Sequence, residues 1–358
     1  MGYEQFTGTR PVAPQHAFDV GRLAAWLRPR VEGFDGEIAV TQFKGGQSNP
    51  TFLLRTPARS AVLRRKPPGT LLPSAHAVDR EHRVLAALHG TEVPVPRPLA
   101  LCEDEGVIGS MFYVMDHVDG RVLWDPALPG MDPAARAAHH DELGRVIAAL
   151  HRVDPAAVGL ADHGRPGAYV ERQIARWTRQ YKAAETEPIA AADALIDWLP
   201  KHLPAGIAGA PSRLIHGDYR FDNVIFHPQE PRILAVLDWE LSTLGDPLAD
   251  FAYHCMTWHM EAAEGSRGLR GLDLAALGIP DESAYLQRYL ARTGAGAVAP
   301  EVWSYYLVFN LFRLVGILQG VTARALQGNA SSDQALKAGS RTRPLAEMAW
   351  DMARRLDG

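Results

Sequence analysis

The apolar residues of the chain follow two patterns, strand-like alternation in the first third and helical spacing in the rest. The strand-like runs are Glu37–Phe43, Thr51–Arg55, Ser60–Arg65, Pro98–Cys102 and Met111–Val118. Further on, apolar positions recur once per helical turn, which predicts helices. The segments with helical spacing are Pro133–His151, Tyr169–Ala184, Ala190–Leu203, Pro247–Glu261, Glu282–Arg292, Glu301–Leu326 and Ser332–Arg355.

These patterns predict an α+β fold with two lobes. The first lobe, residues 1–118, would hold a small antiparallel β-sheet and one main helix, Ser74–His89, after a loose arm at Met1–His16 and a short helix capped by Asp19. The second lobe, residues 119–358, would be mostly helical, with strands only in the 213–238 region. A chain of 358 residues, 47% hydrophobic and 22% charged, is long enough for two lobes and can fold throughout.

Charge and cysteine content narrow the setting in which the protein works. A net charge of −4 and a pI near 6.4 give no reason to expect nucleic-acid binding. Cys102 and Cys255 do not indicate a disulfide framework, so we expect a reducing, cytoplasmic location. Met1–Arg30 lacks a signal-peptide pattern, and the most apolar stretch, Tyr305–Leu318, is interrupted by Asn310 and too short to span a bilayer. We therefore expect a buried helix there and no membrane partner.

A polar cluster lies between short apolar strands in Leu214–Phe226. It contains Asp218 and Asn223, and a second apolar strand, Ile233–Leu237, ends at Asp238. A carboxylate beside a substrate hydroxyl can accept its proton, while an amide and a second carboxylate can hold Mg²⁺ against a triphosphate. Taken singly, each of these residues has a structural alternative as a turn residue or a helix cap. Their joint spacing favours phosphoryl transfer.

The sequence of this cluster resembles a known family. His216-Gly217-Asp218 with Asn223, followed by Asp238-Trp239-Glu240, is similar to the aminoglycoside phosphotransferase and choline kinase group, which is related to the protein kinases. The resemblance extends from about Phe43 to at least Tyr253. It is closest to the branch associated with acyl-CoA dehydrogenases. The segments that resemble this branch are Gly45–Pro50, Arg65–Gly69 and Gly245–Asp250.

The resemblance implies a protein-kinase-like fold, ATP and Mg²⁺ as cofactors, and separate roles within the cluster. Asp218 would be the catalytic base, and Asn223 and Asp238 the metal ligands. Glu240 is a further candidate contact of metal or substrate, with a structural role as the alternative. We assign His216 to the shape of the loop. Asp222 is expected to be either structural or exposed. Asp246 and Asp250 are expected to be structural and to support the loop.

The resemblance also implies which residues contact the nucleotide. Gly45, Gly46, Ser48 and Asn49 would form a turn over the phosphates, because glycines let the backbone approach and the two polar side chains can donate hydrogen bonds. Taken alone, such a turn is an ordinary hairpin connection. The residues that would line the adenine pocket are Met115, Asp116 and Val118, the last two through their backbone.

The phosphate-binding cation departs from the family pattern. Arg64 stands where the family has a lysine, and Lys66 on the same face of the alternating strand is the other candidate, a choice that stays open. Arg65, on the opposite face, we expect to be solvated. Glu81 falls on the apolar stripe of the helix Ser74–His89, so it needs a cationic partner unless it is partly exposed. That partner would be Arg64 or Lys66.

The acceptor is expected to be a small molecule. The segment between Asp238 and Asp250 is short, whereas a protein kinase has a longer loop there to bind peptide. By the resemblance, the helix Tyr169–Ala184 would wall the acceptor pocket, and its basic face favours an anionic or CoA-linked acceptor, with a solvated face as the alternative. Arg313 in a later helix is a second candidate anion contact, or else part of an internal ion pair. The candidate acceptor contacts on the first helix are Arg172, Arg176, Trp177 and Tyr181.

Together these observations predict an ATP- and Mg²⁺-dependent phosphotransferase that phosphorylates a hydroxyl group. The resemblance points to a hydroxyacyl-CoA or a related acid as acceptor, and to a functional link with an acyl-CoA dehydrogenase. The alternative is a catalytically silent nucleotide-binding module that regulates such a partner, and the arginine in place of the lysine is its support. The sequence holds no feature suited to flavin binding, which argues against dehydrogenase activity in the chain itself.

Overall fold

The structure is a computed structural model that describes residues 7–45, 49–67, 77–207, 209–263, 267–326 and 339–357. Its first part is an antiparallel sheet with helices and its second part is mainly helical, so the predicted α+β class is confirmed. The sheet ends at Asp116, close to the predicted lobe boundary at residue 118.

The sheet presents its apolar residues alternately to two faces. Its strands are β1 (Thr9–Arg10), β2 (Ala39–Phe43), β3 (Thr51–Arg55), β4 (Ser60–Arg65), β5 (Pro98–Cys102) and β6 (Phe112–Asp116). They lie in the order β1-β2-β3-β4-β6-β5 with antiparallel pairing throughout. On one face, Phe52 and Leu63 pack with helix α1 (Val20–Leu27) in a small hydrophobic cluster. On the other face, Val62 joins the main core together with helix α2 (Val78–Leu88).

Strand β4 lies between β3 and β6 and carries two consecutive arginines to opposite faces. Arg64 is opposite Tyr113 of β6 and faces α2. Arg65 is only 3% exposed, donates to the carbonyl of Ile108 at 3.1 Å and lies over the ring of Phe52. The expectation that Arg65 is a solvated strand end is therefore wrong, because a carbonyl and aromatic rings replace water around its guanidinium.

The second part packs helices around two short antiparallel strand pairs. Strand β7 (Arg213–Ile215) pairs with β10 (Thr243–Gly245), and β8 (Val224–Phe226) pairs with β9 (Ile233–Val236). The loop between β7 and β8 and the turn after β9 carry the polar cluster. The described helices are α3 (Pro133–Arg152), α4 (Tyr169–Ala183), α5 (Ala190–Lys201), α6 (Pro247–Cys255), α7 (Leu274–Leu277), α8 (Glu282–Thr293), α9 (Pro300–Leu326) and α10 (Thr342–Arg354).

Helix α9 runs through the centre of the helical part. Among the described residues it is the one helix that is long and apolar enough to cross a membrane by length and composition, and 67% of its apolar window is buried inside the protein. The expectation that the stretch Tyr305–Leu318 is too short is wrong, since the helix continues in both directions to 27 residues. The prediction that it is buried is confirmed. Its polar Asn310 donates to the carbonyl of Ala249 in α6 at 2.8 Å, which satisfies a buried amide.

Three element boundaries differ from the sequence prediction. The predicted loose arm contains β1, in which Thr9 is opposite Phe43. Helix α6 stops well before Glu261, because a 3-10 turn follows in which the indole of Trp258 donates to the carbonyl of Pro280 at 2.9 Å. Strand β10 was not predicted. The first turn of Ser74–His89 and the first part of Ser332–Arg355 lie outside the described residues.

Candidate active site

The loop that carries Asp218 is held by the buried carboxylate of Asp250 in α6. The backbone N–H groups of His216 and Gly217 donate to its two oxygens, each at 2.8 Å. Burial acts to raise the pKa of Asp250, but the hydrogen bond from His151 and the other donors outweigh it, so this pKa lies below its ordinary value. A charged, fully bonded Asp250 therefore fixes the backbone of the loop, as predicted.

His216 joins this loop to the strand that ends at Asp238. Its Nε2 donates to the carbonyl of Leu237 at 2.8 Å, and its Nδ1 accepts from the N–H of Asp218 at 3.1 Å. One neutral tautomer satisfies both bonds. The N–H of Leu237 donates in turn to the carbonyl of Asn223 at 2.8 Å. Asn223 and Asp238 therefore lie at adjacent ends of β8 and β9, although they are far apart in the sequence.

Hydrogen-bond donors converge on the carboxylate of Asp218. Its Oδ2 accepts from Arg220 at 2.9 Å and from the amide of Asn223 at 3.0 Å, and its Oδ1 accepts from the hydroxyl of Tyr253 at 2.8 Å. The side chain is 19% exposed, so it can still meet a ligand. Burial acts to lower the pKa of Arg220, but the charges of Asp218 and Asp222 outweigh it and raise this pKa. Arg220 therefore stays charged beside the carboxylate.

Asp222 is a structural residue and is not exposed. Its carboxylate is almost fully buried and pairs with Arg267 at 2.7 Å and with Arg220 at 3.5 Å. Arg220 is thus shared between Asp218 and Asp222, which restricts where its guanidinium can lie.

Asp238 follows β9 in a left-handed backbone conformation, with φ of 65°. Short polar side chains tolerate this conformation better than most residues do. Its carboxylate is 35% exposed and accepts from Nη2 of Arg64 at 2.6 Å, while Glu240 lies 3.7 Å from the same nitrogen. Asp238 and Glu240 therefore both lie beside the same nitrogen of the β4 arginine.

Arg64, and not Lys66, is the partner of Glu81. The Nε of Arg64 lies 2.8 Å from the Glu81 carboxylate, which is 1% exposed and also accepts from the hydroxyl of Tyr113 at 3.2 Å. Burial raises the pKa of Glu81 to about 7, although Arg64 acts to lower it. Strand β4 ends at Arg65, and Lys66 follows it with its N–H bonded to the carbonyl of Met111 at 3.1 Å. The predicted cation–carboxylate pair is confirmed, and its cation is the arginine.

Three predicted nucleotide contacts lie outside the described residues or have another partner. Gly46 and Ser48 are the two outside the described residues. Asn49 is buried, and its amide donates to the Glu81 carboxylate at 2.9 Å. The prediction that Asn49 donates to a phosphate is therefore corrected, because its donor is directed to Glu81. Gly45 follows β2 and precedes the part of the turn that is not described.

The predicted adenine-binding strand is β6. Met115 is buried and faces α2 and the main core. The N–H of Asp116 donates to the carbonyl of Arg97 at 2.9 Å, so this N–H already has a partner within the protein. Its carboxylate, which is 33% exposed, pairs with Arg59 at 2.5 Å. Val118 follows the end of the strand in the extended connection to the helical part.

The oxygen donors of Asn223 and Asp238 fit a magnesium ion. The amide nitrogen of Asn223 donates to the side chain and the carbonyl of Asp218, which turns the amide oxygen away from that residue. Mg²⁺ is usually held by one or two protein oxygens together with phosphate oxygens and water. Among the described residues no group of three or more His, Cys, Asp or Glu could hold a metal by itself. A mixed amide and carboxylate site that is completed by a triphosphate agrees with both observations.

The predicted acceptor contacts separate into two groups. Arg176 is exposed on α4 and lies over the ring of Trp177 at 5.3 Å, and Arg313 lies over the same ring at 5.7 Å. Arg172 instead donates to loop carbonyls that precede α4, and Tyr181 is fully buried beside Lys182. The prediction that Arg172 and Tyr181 border the acceptor pocket is therefore corrected.

Arg313 contacts the loop that carries Asp218, and the described ion pairs do not include it. Its guanidinium is buried, donates to the carbonyl of Gly217 and lies over the ring of Tyr253 at 4.6 Å. It therefore supports the catalytic loop from α9, where it has a carbonyl and two aromatic rings as partners.

Sequence reasoning missed two residues that contact the carboxylate of Asp218, Arg220 and Tyr253. Arg220 is two residues after Asp218 within the polar cluster, where its charge could have drawn attention. Tyr253 follows Asp250 by three residues on α6 and so lies on the same helix face. The assignment of Asp250 to the loop could therefore have indicated Tyr253 as well.

Comparison with known proteins gives a consistent result. The model of the phosphotransferase enzyme family matches residues 39–286. A crystal structure from Ralstonia eutropha, described provisionally as an aminoglycoside phosphotransferase, is 56% identical, covers 95% of this chain and 99% of its own, and superposes with a TM-score of 0.87. A spectinomycin phosphotransferase solved with ADP and spectinomycin shares the fold, with 12% identity, a TM-score of 0.61 and coverage of 93% and 98%. The predicted protein-kinase-like fold is thereby confirmed.

The curated relatives are longer proteins. Mouse acyl-CoA dehydrogenase family member 10 is 45% identical over 347 residues, which cover 96% of this chain and 32% of that protein. Rat acyl-CoA dehydrogenase family member 11 is 41% identical over 353 residues, which cover 97% of this chain and 45% of that protein. The chain thus spans less than half the length of either relative.

Proposed function

The chain belongs to the phosphotransferase enzyme family, and we propose that it is an ATP- and Mg²⁺-dependent kinase that phosphorylates a hydroxyl group of an anionic small molecule. The observation that carries this proposal is the environment of Asp218. Its carboxylate is fixed by three donors, partly open to ligands, and next to an amide and a second carboxylate suited to a metal. A small-molecule phosphotransferase needs this combination of base and metal ligands.

Asn223 and Asp238 would hold Mg²⁺, which when bound would neutralise charge on the ATP phosphates. Arg64 is suited to contact the same phosphates, because its guanidinium already lies beside Asp238 and is held by Glu81 from behind. A planar guanidinium can bind phosphate through two nitrogens. This geometry removes the main reason to consider a catalytically silent module, which was the absence of the usual lysine.

Asp218 would accept the proton of the acceptor hydroxyl as the hydroxyl oxygen attacks the γ-phosphorus, while the bond from the γ-phosphorus to the β,γ-bridging oxygen breaks and ADP leaves. The charge of Arg220 beside Asp218 would stabilise negative charge that develops during transfer. Because Arg220 is also paired with Asp222, it cannot move far from this position. The chain's own residues therefore supply a base and a fixed cation at the point of transfer.

We propose a hydroxyacyl-CoA or a related hydroxy acid as acceptor, and a functional link to an acyl-CoA dehydrogenase. The exposed guanidinium of Arg176 on α4 supports an anionic acceptor. The names of the mouse and rat relatives support the acyl-CoA class and the link. Both cysteines are free and buried, which agrees with the proposed cytoplasmic location.

An assay for ADP release tests this proposal. Purified protein is mixed with ATP and Mg²⁺ and with one acceptor at a time, from hydroxyacyl-CoA, free hydroxy acid and aminoglycoside sets. We expect turnover with the acyl-CoA or acid set and at least about 100-fold lower kcat for Asp218→Asn, with nucleotide binding unchanged. Asp197→Asn, the same change at an exposed position of α5, is the matched control.

The roles of Asp218 and Asp238 and the acceptor class can each be refuted separately. Full turnover by Asp218→Asn would exclude it as the base. Full Mg²⁺-dependent nucleotide binding and turnover by Asp238→Ala would exclude it as a metal ligand. Turnover with aminoglycosides and with none of the anionic acceptors would overturn the acceptor class alone.

A further inference from the structure

The hydroxyl of Tyr253 contacts the catalytic carboxylate from outside the catalytic loop. Tyr253 lies on α6 and donates to Oδ1 of Asp218 at 2.8 Å. On the other oxygen, Oδ2, Asp218 accepts from Arg220 and from Asn223. A carboxylate has about four lone-pair directions, two on each oxygen. Within the described part of the chain, the recorded bonds fill three of them and leave one on Oδ1.

The ring of Tyr253 is itself held in place. It is 6% exposed, and the guanidinium of Arg313 from α9 lies over it at 4.6 Å. Arg313 also donates to the carbonyl of Gly217, the residue before Asp218. Since buried cation–π contacts are stronger than exposed ones, Arg313 resists movement of the ring. Arg313 therefore fixes both the tyrosine and the backbone next to the base.

Helix α6 supports the base twice. Asp250 accepts from the backbone N–H groups of His216 and Gly217, and Tyr253 one turn later on the same face donates to the side chain of Asp218. The backbone position and the carboxylate orientation are thus set by one rigid element.

We propose that Tyr253, held by Arg313, is a positioning residue that orients Asp218 so that the open direction on Oδ1 meets the acceptor hydroxyl. The inference rests on the proposed function, because it requires Asp218 to receive the hydroxyl proton. Without the tyrosine bond, only the two donors on Oδ2 would restrain rotation of the carboxylate about its last torsion. Productive alignment would then be less frequent, which lowers the rate without weakening binding.

A competing arrangement makes the opposite prediction. The Tyr253 hydroxyl could occupy the position of the acceptor hydroxyl and leave when the acceptor binds. The acceptor would then compete with the tyrosine, and removal of the hydroxyl would lower the acceptor KM. The burial of the ring under Arg313 favours positioning, because displacement of the hydroxyl would require a packed ring to move.

Steady-state kinetics of Tyr253→Phe test the proposal. We expect kcat to fall about 10- to 100-fold, as for loss of a hydrogen bond to a charged group. The KM for acceptor and the binding of a non-hydrolysable ATP analogue should stay within about twofold of wild type, a split that general loss of structure would not produce. Tyr305→Phe removes a buried hydroxyl that donates to the Leu199 carbonyl at 2.7 Å, and it should leave kcat unchanged.

A second variant tests the part played by Arg313. Arg313→Lys keeps the charge but loses the planar group, and it should lower kcat in the wild-type background. In the Tyr253→Phe background the same change should lower kcat by a smaller factor, because part of the effect of Arg313 on Asp218 passes through Tyr253. Fully multiplicative effects would overturn the role of Arg313.

The outcomes for the base and for its support can be separated. Unchanged kcat in Tyr253→Phe together with an inactive Asp218→Asn would overturn the positioning role and leave the proposed function intact. A lower acceptor KM with unchanged kcat would replace positioning by the competing arrangement. An active Asp218→Asn would overturn the proposed function itself.

Discussion

The pair formed by Arg64 and Glu81 provides a quantitative test of the structure. Arg64 lies 2.8 Å from Glu81 and 2.6 Å from Asp238, and Glu81 is 1% exposed. Arg64→Ala would leave Glu81 buried with only neutral donors. Loss of one partner of a buried pair costs about 3 to 5 kcal/mol. Because the pKa of Glu81 is already about 7, it can take up a proton instead, so we expect the lower end, about 3 kcal/mol.

Glu81→Gln is expected to cost about 2 kcal/mol, because Arg64 keeps Asp238 as a partner and the amide keeps most of the hydrogen bonds. The double variant should be little worse than Arg64→Ala, which gives a coupling free energy of about 2 kcal/mol. Equilibrium urea unfolding of the four proteins at one pH measures this coupling. The surface pair of Arg145 with Glu142 is the control, and Arg145→Ala should cost no more than about 1 kcal/mol.

The same variants should affect the nucleotide site. Arg64→Ala should weaken binding of a non-hydrolysable ATP analogue with Mg²⁺, measured by calorimetry, while Arg145→Ala should not. A coupling free energy below about 0.5 kcal/mol between Arg64 and Glu81 would mean that the buried pair is not an energetic unit. That result would refute the assignment of Arg64 to the position of the missing lysine.

Three further predictions follow from the surroundings of the site. Because the folded-state pKa of Glu81 is raised from 4.5 to about 7, its contribution to the free energy of unfolding is full below pH 4.5 and is lost as pH rises to about 7. The free energy of unfolding, measured with urea at several pH values, should therefore fall less steeply with pH in Glu81→Gln than in wild type. The same pH dependence in both proteins would contradict the shift. Asp250→Asn should destabilise the protein by about 3 kcal/mol and abolish turnover, since an amide cannot accept both loop N–H groups and the histidine bond; wild-type kcat would contradict this support. Gly217→Ala should lower thermal stability and kcat together, because φ is +84° and a Cβ would lie 2.8 Å from the carbonyl oxygen of Leu241. The control is Gly294→Ala, at a helix end with open space around it, which should cost about 1 kcal/mol of stability and leave kcat unchanged.

Local features of the sequence were enough to predict that the polar groups of the candidate site lie close together. Asp218 and Asn223 lie in one short loop, and Asp238 follows the next strand, so a few residues of turn geometry bring them together. The burial of Glu81 could be inferred from helical periodicity, since a carboxylate on an apolar stripe needs a cation. These predictions succeeded because they depend on spacing within one element or between neighbouring strands.

Contacts between distant segments could not be read from spacing. Tyr253 reaches Asp218 across 35 residues, and Arg313 reaches Gly217 across 96. The sequence showed that α9 is apolar with a buried arginine, but not which surface this arginine meets. The bond from Asn49 to Glu81 was missed for the same reason, since Glu81 lies on another element, and Asn49 was assigned to a phosphate instead.

The sequence by itself determined the two-part α+β fold, the polar loop around Asp218 and the need for a buried cation beside Glu81. Only the tertiary structure decided that Arg64 is this cation, that Arg65 is buried, and that Tyr253 and Arg313 contact Asp218 and its loop. The physical reason is that periodicity determines which face of an element is buried. The packing of several elements at once determines which buried faces meet, and hydrogen-bond partners are chosen only at that stage.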